Sequence, residues 1–239
     1  MTTNFVEIPE PDSLSVCWMV PLQVDNQQSR NRYTIGKLWR HESTSEMVFS
    51  YTENHDILEK AINHGFEGYP TFPLITDHVY PNAMDVFGRR LPSEARKDYS
   101  KILKSYALDP TSDYSRFQLL AATGGRLTTD SYEFVDPLNN IKVGSIRLFD
   151  VAGVRRFYEK SKNPTLNETL SFERDPKNKF DEYAVKILNA LGEQVGWVNN
   201  VQSKAISTFL ANGTLDARVF RVNGRQNYPR IFAIAAFTS

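Results

Sequence analysis

The rhythm of hydrophobic and polar positions changes along the chain. Val16-Cys17-Trp18-Met19-Val20, Tyr33 to Trp39 and Met47 to Tyr51 are short runs rich in aromatic and β-branched residues, bounded by polar stretches, and predict three strands. From Asp56 to His64 the apolar residues Ile57, Leu58, Ala61 and Ile62 recur at helical spacing, and Gly65 follows as a stop. The stretch from Gly65 to Pro73 holds two prolines, each lacking a donor and restricting the residue before it, so an extended loop is expected there. Helices are expected again at Asn82 to Arg90 and at Ser93 to Tyr106, where Tyr99, Ile102, Leu103 and Tyr106 line one face. A further helix carries Arg116 to Ala122 and ends at Gly124-Gly125.

After Asn139-Asn140 the pattern turns to short strands at Val143 to Phe149, Thr169 to Glu173, Leu215 to Val222 and Arg230 to Phe237, with one helix at Val201 to Asn212. This order predicts an α+β protein: a mixed α+β domain over residues 1–144, then a small β-barrel with one or two helices over residues 145–239. Two domains also suit a length of 239 residues, since chains much past ~150 residues more often split than enlarge one core.

Composition narrows the function classes. With 41% hydrophobic and 23% charged residues the chain is neither disordered nor fibrous. One cysteine, Cys17, forms no intrachain disulfide, and the four histidines have no zinc spacing, so neither a metal nor another cofactor is expected. The acidic, proline-containing stretch from Met1 to Asp12 does not read as a signal peptide. The longest apolar run, Ile231 to Phe237, is too short for a membrane span, and a cytoplasmic protein with no membrane partner is expected. The net charge of zero hides an asymmetry: residues 1–144 hold 14 basic against 19 acidic side chains, and residues 145–239 hold 14 against 9. A basic second half points to a polyanionic partner, an acidic first half to solvation or protein docking.

Three motifs of the second half, in order, carry a resemblance. Phe149 to Tyr158 (FDVAGVRRFY), Leu170 to Val185 (LSFERDPKNKFDEYAV) and Gly192 to Val198 (GEQVGWV), followed by a helix from Val201, resemble the HIRAN domain over roughly residues 145–239. The resemblance implies a small barrel of the OB or SH3-like kind that binds the 3′ end of single-stranded DNA. It assigns Asp181 to the terminal hydroxyl and Phe180, just before it, to stacking on the terminal base. The residue types suit that task independently. Bases stack on aromatic faces and phosphates need cations; Phe157, Tyr158, Phe180 and Tyr228 supply the first, and Arg155, Arg156, Arg225 and Arg230 the second. A carboxylate repels phosphate, so Asp181 in such a groove serves as an acceptor for a hydroxyl that an uninterrupted strand lacks. The candidate DNA-binding set is Arg155, Arg156, Phe157, Tyr158, Asn178, Phe180, Asp181 and Tyr228. Singly, Phe180 also reads as core, Asp181 as a turn cap and Arg155-Arg156 as a solvated face. The chain departs from the family pattern in placing Arg155-Arg156 before Phe157-Tyr158, so that either arginine fits the phosphate-binding place, and in having Tyr183 two residues after Asp181.

In the first half, Tyr33 to Leu38, Met47 to Tyr51, Gly68 to Leu74, Val86 to Pro92 and Phe117 to Gly125 fall in the order of the first N-terminal subdomain of HipA-like kinases, which they resemble over about residues 30–135. That subdomain is not the catalytic one, and in split toxin–antitoxin systems it restrains a separately encoded kinase. Catalytic motifs are missing: Gly124-Gly125-Arg126 lacks the ending of a phosphate-cradling loop, and Cys17 lies in an apolar strand with no neighbouring cation. The expectation is therefore a non-enzymatic adaptor that binds single-stranded DNA ends and contacts a HipA-like kinase. The alternatives are a purely protein-binding antitoxin and, behind it, a nuclease subunit using carboxylates such as Asp175, Asp181 and Glu182.

Overall fold

The structure is a computed structural model that describes residues 5–6, 8–21, 31–157, 164–225 and 228–239, with the side chains of residues 224–228 outside the description. The strands are β1 (Ser13–Met19), β2 (Arg32–Arg40), β3 (Met47–Tyr51), β4 (Val79–Tyr80), β5 (Tyr132–Val135), β6 (Ile146–Asp150), β7 (Thr169–Arg174), β8 (Val185–Leu188), β9 (Gln194–Trp197), β10 (Thr214–Arg225) and β11 (Tyr228–Thr238). The helices are α1 (His55–Asn63), α2 (Ala83–Phe87), α3 (Tyr99–Ser105), α4 (Arg116–Thr123) and α5 (Asn200–Phe209), with short 3-10 turns at Gly88–Arg90 and Val154–Arg156. The fold is α+β. Among the described residues no helix is long and apolar enough to cross a membrane.

Two compact units emerge, and they are not consecutive in sequence. One comprises Pro9–Tyr99 and Ser112–Pro137; the other comprises Leu138–Ser239, Ser100–Thr111 and the described residues of Met1–Ile8. Two upstream segments thus group with residues 138–239. The cause lies in α3 and the turn after it. Leu103, Ala107 and Leu108 are buried; the Val6 amide donates to the Ala107 carbonyl at 2.8 Å, and the Tyr106 ring lies 5.2 Å from the Arg221 guanidinium. The helix is also shorter than the spacing predicts. Residues 93–98 are polar apart from Ala95 and form turns, because a helix this short is held by its buried stripe, which starts only at Tyr99.

The first unit is a five-stranded antiparallel sheet in the order β4-β3-β2-β1-β5. Its helix ends follow from local chemistry. Asn54 caps α1 by accepting from the Ile57 amide, and Ser115 with Gln118 forms a reciprocal capping box on α4, which Gly124 ends at φ 69°. The core is aromatic: Phe49 packs against Tyr51, Phe72, Tyr80 and Phe87. The loop before β4 is irregular as expected, and three tyrosine hydroxyls fasten it, Tyr51 donating to Phe72 O, Tyr80 to Pro73 O and Tyr132 to Gly68 O. Arg90 is buried yet satisfied, with Asp130 bound bidentately at 2.7 Å and Gly125 O at 2.6 Å. Strand β5, unpredicted, brings Glu133 into the interior; burial disfavours its charge, but Arg32 and Arg126 outweigh this and hold its pKa below the ordinary value. Cys17 is fully buried, and burial pushes its thiol up to about 11.

The second unit is a six-stranded antiparallel sheet in the order β6-β11-β10-β7-β8-β9. It curls until its edges meet at one point. Just beyond β6, Ala152 exchanges both backbone hydrogen bonds with Trp197 of β9 at 2.8 Å, so the sheet is a half-barrel closed by one bridge. Gly196 permits that approach, since a Cβ there would lie 2.4 Å from Val151 Cγ1 and 2.6 Å from Ala152 O. The inner face, with Phe149, Val185, Ile187, Val219, Ile231, Ala233 and Phe237, forms the core, against which α5 sets Ile206 and Phe209.

Candidate nucleic-acid interface

The closing bridge gathers the three sequence motifs at one end of the half-barrel. Trp197 sits between two neighbours: Ala152 on one side, two residues before the Val154–Arg156 turn, and Lys186 of β8 on the other. The turn and the foot of the β7–β8 loop are therefore about two strand spacings apart, ~10 Å. That loop, residues 175–184, closes where the Asp175 amide donates to Ala184 O at 2.8 Å. Helix α5 begins just after β9, with Asn199 as its cap, and faces the same loop through Ser203.

Side chains hold the loop from within. Asn178 Oδ1 accepts from the Phe180 amide at 3.0 Å and the Asp181 amide at 3.3 Å, the geometry of an Asx turn. Asp181 then uses both carboxylate oxygens. Oδ1 accepts from the Tyr183 amide at 2.9 Å and Oδ2 from the Ser203 hydroxyl at 2.6 Å. Ser203 also lies 2.8 Å from Asn200 O, so its single proton serves two acceptors. The consequence for Phe180 is direct. Its backbone is tied down while its side chain is 94% exposed, an arrangement in which the ring contributes almost nothing to the core.

Cations and rings surround this loop. Lys177 and Lys179 flank Asn178 and are exposed, as are Arg155 and Arg156 on the neighbouring turn. The Phe157 ring, half-buried, lies 6.5 Å from Trp197, and Gly153 at φ 71° brings the chain against that indole. Lys186 lies 3.6 Å from Asp175 and 3.9 Å from Glu173, and Lys204 lies 5.6 Å from the Tyr183 ring. Among the described residues no group of three or more histidine, cysteine or acidic side chains is placed to hold a metal ion.

Asn178, Phe180 and Asp181 of the candidate set thus share one loop, and Arg155, Arg156 and Phe157 the adjacent turn. Tyr158 lies outside the described residues; Tyr228 opens β11, but its side chain lies outside the description. Phe180 is not core. Asp181 does cap a turn, and with lone pairs left on both oxygens it remains an acceptor. Sequence reasoning passed over Ser203, a buried helical serine whose only signal is its position on the α5 face toward the loop, and Trp197, quoted in a motif without a role.

A family model described as the HIRAN domain matches residues 144–234. Among solved structures, the crystal structure of the HIRAN domain of human HLTF is similar at 21% identity, covering 39% of this chain and 76% of that one, with a TM-score of 0.34. The NMR structure of the HLTF HIRAN domain in its DNA-bound conformation is similar at 23% identity, covering 38% and 73%, with a TM-score of 0.31. A Lactobacillus plantarum protein shows 11% identity over 38% of this chain and 92% of that one, with a TM-score of 0.31. No curated protein matches the chain. The second unit, with its curled sheet closed at Ala152 and Trp197, carries a HIRAN domain at residues 144–234.

Proposed function

We propose that this chain binds single-stranded DNA at its 3′ end through the loop 175–184 and the turn 154–156, and that it acts by binding rather than by catalysis. The observation that carries the reading is Phe180, 94% exposed on a loop braced by Asn178 and Asp181. An aromatic ring held out on a rigid support is a stacking platform for a base. Arg155, Arg156, Lys177 and Lys179 supply cations for the phosphates that follow, and Asp181 offers an acceptor to a terminal 3′-hydroxyl while repelling a terminal phosphate. The HIRAN match supports nucleic acid as the partner, the human HLTF member of that family having a DNA-bound conformation.

For the first unit, the acidic composition of residues 1–144 and the resemblance of residues 30–135 to a HipA-like subdomain support docking to a separately encoded kinase. The DNA reading is tested by fluorescence anisotropy of the purified chain with short single-stranded oligonucleotides as salt is raised. Affinity should fall linearly in log–log coordinates, with a slope of about −0.7 per phosphate neutralised. No binding at low salt overturns it and leaves the half-barrel as a scaffold for protein contacts.

A further inference from the structure

A second cationic and aromatic cluster lies on the outer face of the half-barrel. On β10 the residues Ala217 and Val219 face the core, and strict alternation would send Arg221 inward as well. It does not go there. The pairing of β10 with β11 slips between Val219 and Arg221, leaving Phe220 as a bulge, and Arg221 comes opposite Phe232 on the outer face. Bulges of this kind re-aim a side chain.

The re-aimed guanidinium is half-buried against two rings, 4.1 Å from the centre of Phe232 and 5.2 Å from that of Tyr106. Arg230 lies over the same Phe232 ring at 5.0 Å and pairs with Asp150 at 2.8 Å. Among the described residues Arg221 makes no ion pair with a carboxylate. With the Asn223 amide turned so that its oxygen faces Arg221, Nε donates to it at 3.3 Å; among the described residues the two terminal nitrogens make no hydrogen bond. Burial lowers its pKa, and the nearby Tyr106 and Asp150 offset that effect only in part. A guanidinium seated over aromatic rings loses less freedom on pairing, which suits it to hold a phosphate.

Position supplies the second half of the argument. Arg221 faces Phe232, and Phe232 faces Asp150, so the cluster lies about two strand spacings, ~10 Å, from the end of β6, four residues ahead of the Val154–Arg156 turn. We infer that Arg221, seated on Phe232 and Tyr106, is a second phosphate-binding station for the same single strand, engaging its backbone a few nucleotides 5′ of the terminal one. Tyr106 comes from the Ser100–Thr111 segment, so this station completes the HIRAN-matched region with a residue from outside it.

The inference rests on the DNA reading above, and oligonucleotide length separates the two. Anisotropy is measured with a trinucleotide and a dodecanucleotide, both ending in a 3′-hydroxyl, for the wild type, Arg221→Ala and Tyr106→Leu, with thermal melts to confirm folding. The wild type should bind the dodecamer more tightly than the trimer. Arg221→Ala should lose about tenfold on the dodecamer, leave the trimer unchanged and reduce the salt slope by about 0.7, the value of one single-strand phosphate contact. Tyr106→Leu, which keeps the arginine but removes a supporting ring, should show a smaller loss of the same kind and guards against an unfolded Arg221→Ala. Folded variants that keep the full length gain overturn the second station and leave end recognition standing. A wild type that binds neither oligonucleotide overturns both.

Discussion

Replacing Phe180 by alanine separates binding from stability with unusual clarity. A buried aromatic ring typically hides ~150–250 Å², whereas at 94% exposure this one hides only a few per cent of its surface. At about 25 cal/mol per Å² that burial contributes ~0.3 kcal/mol to the folded state, so Phe180→Ala should leave the melting temperature within about 1–2 °C of wild type. Base stacking on an aromatic platform is worth about 1–3 kcal/mol, so affinity for a short single strand should fall roughly 5- to 150-fold. Because a ring neutralises no phosphate, the slope of affinity against salt should stay constant while the whole line drops. Phe180→Tyr, which keeps the π face, should bind like wild type. Anisotropy at four or five salt concentrations, paired with a melt, reads all of this. Unchanged affinity would refute the stacking role, and a melting temperature lowered by many degrees would show that Phe180 packs in solution.

Arg155→Ala together with Arg156→Ala should weaken binding to all single strands alike and reduce the salt slope by about 1.4 if each arginine holds one phosphate; an unchanged slope excludes that role. Gly196→Ala places a methyl within 2.4 Å of Val151 and 2.6 Å of the Ala152 carbonyl, so it should cost about 1–3 kcal/mol in denaturant unfolding and raise amide exchange at Ala152 and Trp197; wild-type exchange there would contradict the closure at that bridge. The folded state keeps the Cys17 proton to about pH 11, whereas a solvent-exposed thiol releases it near 9.0. Stability from this group is therefore full below pH 9 and declines by up to ~3 kcal/mol between pH 9 and 11. Against Cys17→Ala the wild type should lose that extra stability over this window, and parallel pH profiles would contradict the burial of the thiol.

The legible parts of the sequence were those written in local chemistry. Helices α1 and α4 were legible from their apolar spacing and the glycines after them, Gly124 ending α4 because it adopts a left-handed conformation at low cost; the caps Asn54 and Ser115, whose oxygens act within three residues, went unread. The loop 175–184 was reached only through the motif that contains it, although Asn178 builds its turn from groups two and three residues away. What else stayed hidden depends on distant partners. Nothing near Glu133 indicates that Arg32 and Arg126 will make a buried carboxylate tolerable in β5. Nothing in Ser100–Thr111 indicates that its apolar stripe covers strands more than a hundred residues later. Ser203 reads as an ordinary helix residue until the fold sets it 2.6 Å from Asp181.

End recognition is the central claim, and it turns on one carboxylate. The decisive measurement compares a single-stranded oligonucleotide ending in a 3′-hydroxyl with the same sequence ending in a 3′-phosphate, for the wild type and for Asp181→Asn, which keeps an acceptor for the Tyr183 amide and removes the charge. The wild type should prefer the hydroxyl end by at least tenfold, and Asp181→Asn should erase most of that preference with little change in thermal stability. Equal binding of both ends by the wild type, or an undiminished preference in Asp181→Asn, would contradict the account.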